Sequence, residues 1–111
     1  MPRDALAEFE YLVVLAAVRL GPEEAYTVSI ADVIEKRTGR SVRRANVHTT
    51  LRRLEDKGLI VTSLSEPRAE RGGKPRRLVE VTPEGLAAVR AATEAIRQMT
   101  SDLEHAIGGS L

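Results

Sequence analysis

The chain has no cysteine and no tryptophan, and its only aromatic residues are Phe9, Tyr11 and Tyr26. Without thiols it can hold neither a disulfide framework nor a thiolate metal site, which fits a reducing compartment. With so few rings, the core has to be assembled from Leu, Val, Ile and Ala, and apolar residues reach 42% of the 111 positions, enough for one modest core. A long apolar run is missing as well. The longest, Tyr11–Val18, covers eight residues, short of the roughly 20 that a helical membrane span needs. No basic region feeds an apolar signal core at the N-terminus. The expectation is a cytoplasmic protein without a membrane partner.

The usual equipment of catalysis and metal binding is lacking too. His48 and His105 stand alone, at no metal-ligand spacing and with no cysteine nearby. Gly72-Gly73-Lys74 lacks the Gly-x4-Gly-Lys-Ser/Thr pattern of a phosphate-binding loop, and Pro75 stands where the hydroxyl residue would be. The acidic pairs Glu23-Glu24 and Glu55-Asp56 are adjacent residues whose side chains point apart, so they offer no convergent carboxylates. These absences predict a non-enzyme with no metal and no cofactor.

Net charge is only +1, but it is unevenly spread. Between Arg40 and Arg77 there are 11 Lys/Arg against 4 Asp/Glu, a local +7, while the rest has 6 against 12, or −6. A chain polarised in this way can present one basic face to phosphate while its other pole is repelled.

Apolar spacing supplies the elements. Leu6, Phe9, Leu12, Val13, Ala16, Ala17 and Leu20 recur three and four apart, which predicts a first helix over Asp4–Arg19, stopped by Gly21-Pro22. A second helix follows from an N-cap at Thr27, through Ile30, Val33 and Ile34, to Gly39. A third spans Arg43–Lys57 and stops at Gly58. Its Val47, Leu51 and Leu54 form one stripe, while Ala45, Asn46, Thr49, Arg52 and Arg53 project the other way. Leu59–Ser65 and Leu78–Val81 are β-rich and predict a hairpin, with Pro67 and Pro75 holding its distal end out of a regular ladder. Thr82-Pro83 then reads as an N-cap with proline at the first helical position. The last helix is expected to reach about Ile107, ended by Gly108-Gly109. Along it Val89, Ile96 and Leu103 repeat at seven residues, a spacing that asks for a packing surface.

Helices followed by a hairpin in this order form a winged helix-turn-helix: mainly α with a small β-hairpin. Residues 1–82 would be the DNA-binding part and 83–111 a long C-terminal dimerisation helix, in one continuous domain. The third helix would enter the major groove of double-stranded DNA. Asn46 and Thr49 are suited to base edges, with Thr50 beside them, and Arg53 to guanine or phosphate. Arg43 and Arg44 stand where helix amides also favour phosphate, and Arg52 and His48 flank the sugar-phosphate rails. Arg71, Lys74 and Arg76 of the hairpin tip would serve a minor groove or its bordering phosphates. A winged helix used only to dock another protein is the rival reading, and it predicts weak DNA binding without sequence preference.

Several segments together resemble PadR-family transcriptional regulators. They include Phe9-Glu10-Tyr11-Leu12, Leu20-Gly21-Pro22, Ala25-Tyr26 and Thr38-Gly39, then the run from Val47-His48-Thr49-Thr50-Leu51 to Gly58-Leu59-Ile60. Glu70-Arg71-Gly72-Gly73, Arg76-Arg77, and Leu86 after Thr82-Pro83-Glu84-Gly85 complete the set. The resemblance runs from Glu8 to about Val89. It implies a homodimeric winged-helix repressor of the short subfamily, acting on a pseudo-palindromic operator, whose C-terminal helix joins the first helix in dimerisation. Phe9, Leu12, Val89, Ile96, Met99 and Leu103 are the residues expected there. The chain departs from the family pattern at His48, where tyrosine is common, and at Tyr26-Thr27-Val28, where a Tyr-Gly-Tyr-like stretch is frequent. No aromatic residue follows Tyr26, so a small-molecule effector site would be aliphatic, lined by Ile96, Met99 and Leu103.

Overall fold

In a computed structural model, which describes residues 5–66, 74–103, 106 and 108, the chain forms four helices and one hairpin among those residues. α1 is Glu8–Leu20, α2 Thr27–Thr38, α3 Arg44–Asp56, β1 Ile60–Leu64, β2 Arg77–Val81 and α4 Pro83–Thr100. The expected winged helix-turn-helix with a long last helix is what is found. Residues expected at the wing tip, Glu70-Arg71-Gly72-Gly73 and Pro67, lie outside the described residues, as do His105, Ile107 and Gly109.

Several helix ends differ from the sequence expectation. α1 begins at Glu8 rather than Asp4, because the Glu10 carboxylate accepts the Ala7 N–H at 2.9 Å and fixes the first turn there. Thr27 is the first helical residue of α2 rather than its cap. Tyr26 takes the cap position, its N–H donating to Ser29 Oγ at 3.0 Å. α3 loses one residue at each end, Arg43 and Lys57 becoming its caps. α4 stops at Thr100, well before Ile107. The Thr100 hydroxyl donates back to the Ile96 carbonyl at 2.8 Å, and Asp102 adopts a left-handed φ of 66°. Hydroxyl and Asx side chains compete for backbone groups in this way and end helices. Leu103 is therefore off the helix, and the sevenfold spacing breaks after Ile96.

The core is aliphatic, as the scarcity of rings requires. Val13, Val14 and Ala17 of α1 meet Ile30 and Ile34 of α2, Val47, Leu51 and Leu54 of α3, and Leu59, Ile60 and Val79 of the hairpin. Phe9 and Leu12 pack half-buried against this cluster, with Val89 of α4. Burying such side chains contributes roughly 1.5–3 kcal/mol each before chain entropy is counted.

The hairpin is antiparallel, pairing Ile60 with Val81 and Leu64 with Arg77. The other edge of β2 is tied down too: Val79 N–H donates to the Ala25 carbonyl at 2.8 Å. The wing is therefore anchored to the segment just before α2. Between α3 and β1, Gly58 has a φ of 76°, a left-handed turn that an L side chain resists. Gly85 is needed for closeness instead. A Cβ on it would stand 2.1 Å from the Leu59 carbonyl oxygen, so α4 starts in direct backbone contact with the hairpin.

Candidate nucleic-acid interface

The exposed face of α3 follows from its buried one. Val47, Thr50, Leu51 and Leu54 are buried. At about 100° per residue, the face opposite them carries Ala45, Thr49, Arg52 and Asp56. Asn46 and Arg53 lie on one shoulder, His48 and Glu55 on the other, and all eight are exposed. Thr50, expected among the DNA contacts, is instead 5% exposed. It sits three residues after Val47 and four before Leu54, on the same stripe, and faces the core.

Each shoulder is fixed by a neighbour. On one, Glu55 Oε2 accepts the Thr62 hydroxyl at 2.9 Å, and that hydroxyl oxygen accepts Arg77 at 3.2 Å, joining the end of α3 to both wing strands. On the other, Arg53 lies near enough to Glu10 of α1 to help hold its carboxyl ionised. Arg52 is thus better centred on the exposed face than Arg53, the reverse of the order expected from sequence.

The exposed face is graded along its length. Arg43, Arg44, Arg52 and Arg53 make no ion pair among the described residues, whereas the C-terminal turn carries Glu55 and Asp56. No side chain caps the first turn of α3, leaving its leading amides for an anion. Phosphate is favoured at the N-terminal half and repelled at the other end. The Thr49 hydroxyl donates to the Ala45 carbonyl at 3.0 Å, so toward a base it is left to accept.

Three cations of the basic segment are committed within the molecule. Arg40, in the turn between α2 and α3, pairs with Glu8 at 2.8 Å. Lys57, the cap of α3, lies 2.9 Å from both carboxylate oxygens of Glu10. Arg76 places its guanidinium 4.3 Å from the centre of the Tyr26 ring. Lys74 and Arg77 are exposed, and Arg71 lies outside the described residues. The turn of the helix-turn-helix is itself braced, since Glu35 Oε2 of α2 accepts the Val42 N–H at 2.7 Å.

Glu10 is the one buried carboxylate among the described residues, at 5% exposure. Burial works against its charge, but the Ala7 N–H, the Lys57 ammonium and Arg53 outweigh burial and hold it below the ordinary carboxyl range. Nothing local in the sequence signals the pair, because the partner of Glu10 is 47 residues away.

α4 presents the other exposed surface. Gly85 alone is buried within it, while Ile96 is 49% and Met99 76% exposed. Between its Ala87, Ala88, Ala91, Ala92 and Ala95 and residues Leu6 and Tyr11 runs an open apolar groove of about 560 Å³. The Tyr11 hydroxyl and Thr93 Oγ1 share a hydrogen bond of 2.6 Å that ties α1 to α4.

A sequence model of the transcriptional regulator PadR-like family matches residues 14–91. The chain belongs to that family. Its fold is shared by a PadR family transcription regulator from Clostridium difficile R20291, at a TM-score of 0.71 and 21% identity over 87% of this chain and 98% of the other. A PadR family transcriptional regulator from Eggerthella lenta DSM 2243 aligns at a TM-score of 0.66 and 24% identity, over 90% and 86%. BpsR of Bordetella bronchiseptica, whose DNA binding is regulated by 6-hydroxynicotinic acid, aligns at 0.65 and 23%, over 90% and 66%. No protein of curated function matches the chain in sequence. As a PadR-like chain it is a DNA-binding transcriptional regulator, not a member of an enzyme family. Among its described residues no helix is long and apolar enough to cross a membrane.

Proposed function

We propose that this PadR-like regulator is a cytoplasmic homodimeric repressor that sets two copies of α3 into successive major grooves of a pseudo-palindromic operator. One observation carries the reading: the N-terminal half of α3 exposes cationic and hydrogen-bonding side chains that no acid of the described chain neutralises. Asn46, Thr49 and Arg52 address base edges. Arg43, Arg44, His48 and Arg53 hold the flanking phosphates, and Lys74, Arg77 and Arg71 of the wing hold the backbone beyond. The acids Glu55 and Asp56 keep the far end of the helix out of the groove. Dimerisation uses the apolar face of α4 together with α1, supported by the exposure of Ile96 and Met99.

The test is binding measured against salt, with oligonucleotides selected from a random pool. Neutralising about 6–10 phosphates per dimer makes affinity fall by about 10³–10⁵ between 50 and 200 mM salt. A flat salt response with no enriched sequence would leave protein docking as the function.

A further inference from the structure

Arg76 sits at the distal end of the wing strands, yet it is turned inward. Its guanidinium lies over the Tyr26 ring at 4.3 Å, and both residues are only half-exposed. Its backbone is pinned on the other side: Ser65 N–H donates to the Arg76 carbonyl at 2.7 Å, and Arg76 N–H donates to Ser65 Oγ at 2.8 Å. These two bonds continue the hairpin one step past the last regular pair, Leu64 with Arg77. Tyr26 is equally constrained. It caps α2 through its N–H to Ser29 Oγ, and its neighbour Ala25 receives Val79 of β2.

We propose that Tyr26 and Arg76 form a clamp that sets the angle between the wing and α3. Tyr26 is then a positioning residue for DNA binding, and Arg76 acts on DNA through the wing rather than by touching phosphate. Two points hold β2 to the start of α2. The Val79 to Ala25 hydrogen bond fixes the strand near its centre, and the cation over the ring fixes it near the tip. With only the first, the distal end of β2 is held to the helices through Arg77 and Thr62 to Glu55 of α3 alone and has no tie to α2. Lys74 stands two residues beyond Arg76, so a pivot of that end carries its ammonium away from the backbone that α3 has selected. The attraction is between a cation and the face of a ring and does not need the phenol hydroxyl.

The inference rests on the DNA-binding reading above, and two measurements separate them. In the free protein, the side-chain protons of Arg76 show upfield ring-current shifts in NMR that vanish in Tyr26→Leu and persist in Tyr26→Phe. On a mixed-sequence 24-base-pair duplex at 50 mM salt, Tyr26→Leu and Arg76→Ala each weaken binding about three- to tenfold. The double variant is no weaker than either single one, and Tyr26→Phe binds as the parent does. Losses that multiply in the double variant, a Tyr26→Phe as weak as Tyr26→Leu, or unshifted Arg76 protons would overturn the clamp. Should Tyr26→Leu fail to fold, the shifts in the parent and in Tyr26→Phe still decide. A parent protein that does not bind the duplex at all would defeat the DNA reading while leaving the shifts intact.

Discussion

Lys57 closes α3 by placing its ammonium 2.9 Å from each carboxylate oxygen of Glu10 in the first turn of α1. α3 is thereby joined to the helix that also contacts α4. Removing the cation alone leaves a buried carboxylate with the Ala7 N–H as its remaining hydrogen-bond donor. Lys57→Met is expected to cost about 1–3 kcal/mol at neutral pH, the penalty of an under-satisfied buried polar group. Urea denaturation measures it, and a variant as stable as the parent would show the pair to be idle.

The same pair predicts a pH dependence. The Glu10 carboxyl is held below its ordinary value of 4.5 in the folded chain. Its contribution is therefore complete above that value and is lost as pH falls through the lower folded value. The stability gap between the parent and Lys57→Met should narrow from pH 7 toward pH 3, since protonated Glu10 no longer needs its cation. Glu8 and Glu94 are lowered as well, by Arg40 and Arg97, but both are fully exposed and add little. A gap constant across this range would assign the cost of the substitution to packing.

Gly85 gives a third expectation, opposite in sign to helix propensity. Alanine is preferred over glycine within a helix by about 1 kcal/mol. Here, however, the added Cβ meets the Leu59 carbonyl oxygen at 2.1 Å and Val81 Cγ1 at 2.7 Å. The backbone oxygen cannot swing aside, so α4 has to shift. Gly85→Ala should destabilise by about 1–3 kcal/mol, the usual cost of overpacking, seen as a lower Tm. A raised Tm would mean that the close approach is relaxed in solution.

How much of this was legible beforehand depends on the range of the interaction. The helices and hairpin follow from apolar period and from Gly21, Gly39, Gly58 and Thr82-Pro83, all local signals, and so does the exposed face of α3. Contacts between distant segments left no local mark. Glu10 with Lys57 and Tyr26 with Arg76 join residues from different elements, and each partner alone looks like ordinary surface. Thr50 was misplaced because its polarity suggested solvent while its position in the helical period assigned it to the core. The early end of α4 coincides with the Thr100 hydroxyl bonding to the backbone of Ile96 and with the left-handed φ of Asp102, local features that apolar spacing cannot register.

On DNA, the centring of Arg52 separates two residues that adjoin in sequence. Arg52→Ala should relax preference at one base position and cost about 1–3 kcal/mol on a selected operator. Lys74→Ala should weaken binding to all sequences about equally and lower the salt slope by about one. Arg53→Ala belongs with Lys74 if Arg53 stays on the shoulder beside Glu10. Repeating the oligonucleotide selection with each variant reads this directly, and a motif altered by Arg53→Ala but not by Arg52→Ala would reverse the assignment.

The apolar face of α4 yields the last expectation. In a two-fold symmetric dimer the same patch faces itself, so a residue near the axis meets its own copy. Ile96 borders the groove formed with Leu6 and Tyr11, and it is half exposed. If α4 forms the proposed dimer face, an acid placed there is buried in an apolar contact, which costs its desolvation. Ile96→Glu should therefore shift the protein toward monomer in light scattering at micromolar concentration. Val61, an equally exposed aliphatic residue on β1, is the matched control, because it lies on the wing rather than on α4. Val61→Glu should leave the dimer intact. If Ile96→Glu remained a dimer while Val61→Glu dissociated, the subunits would meet through the hairpin, and the spacing of the two recognition helices would have to be drawn from that contact instead.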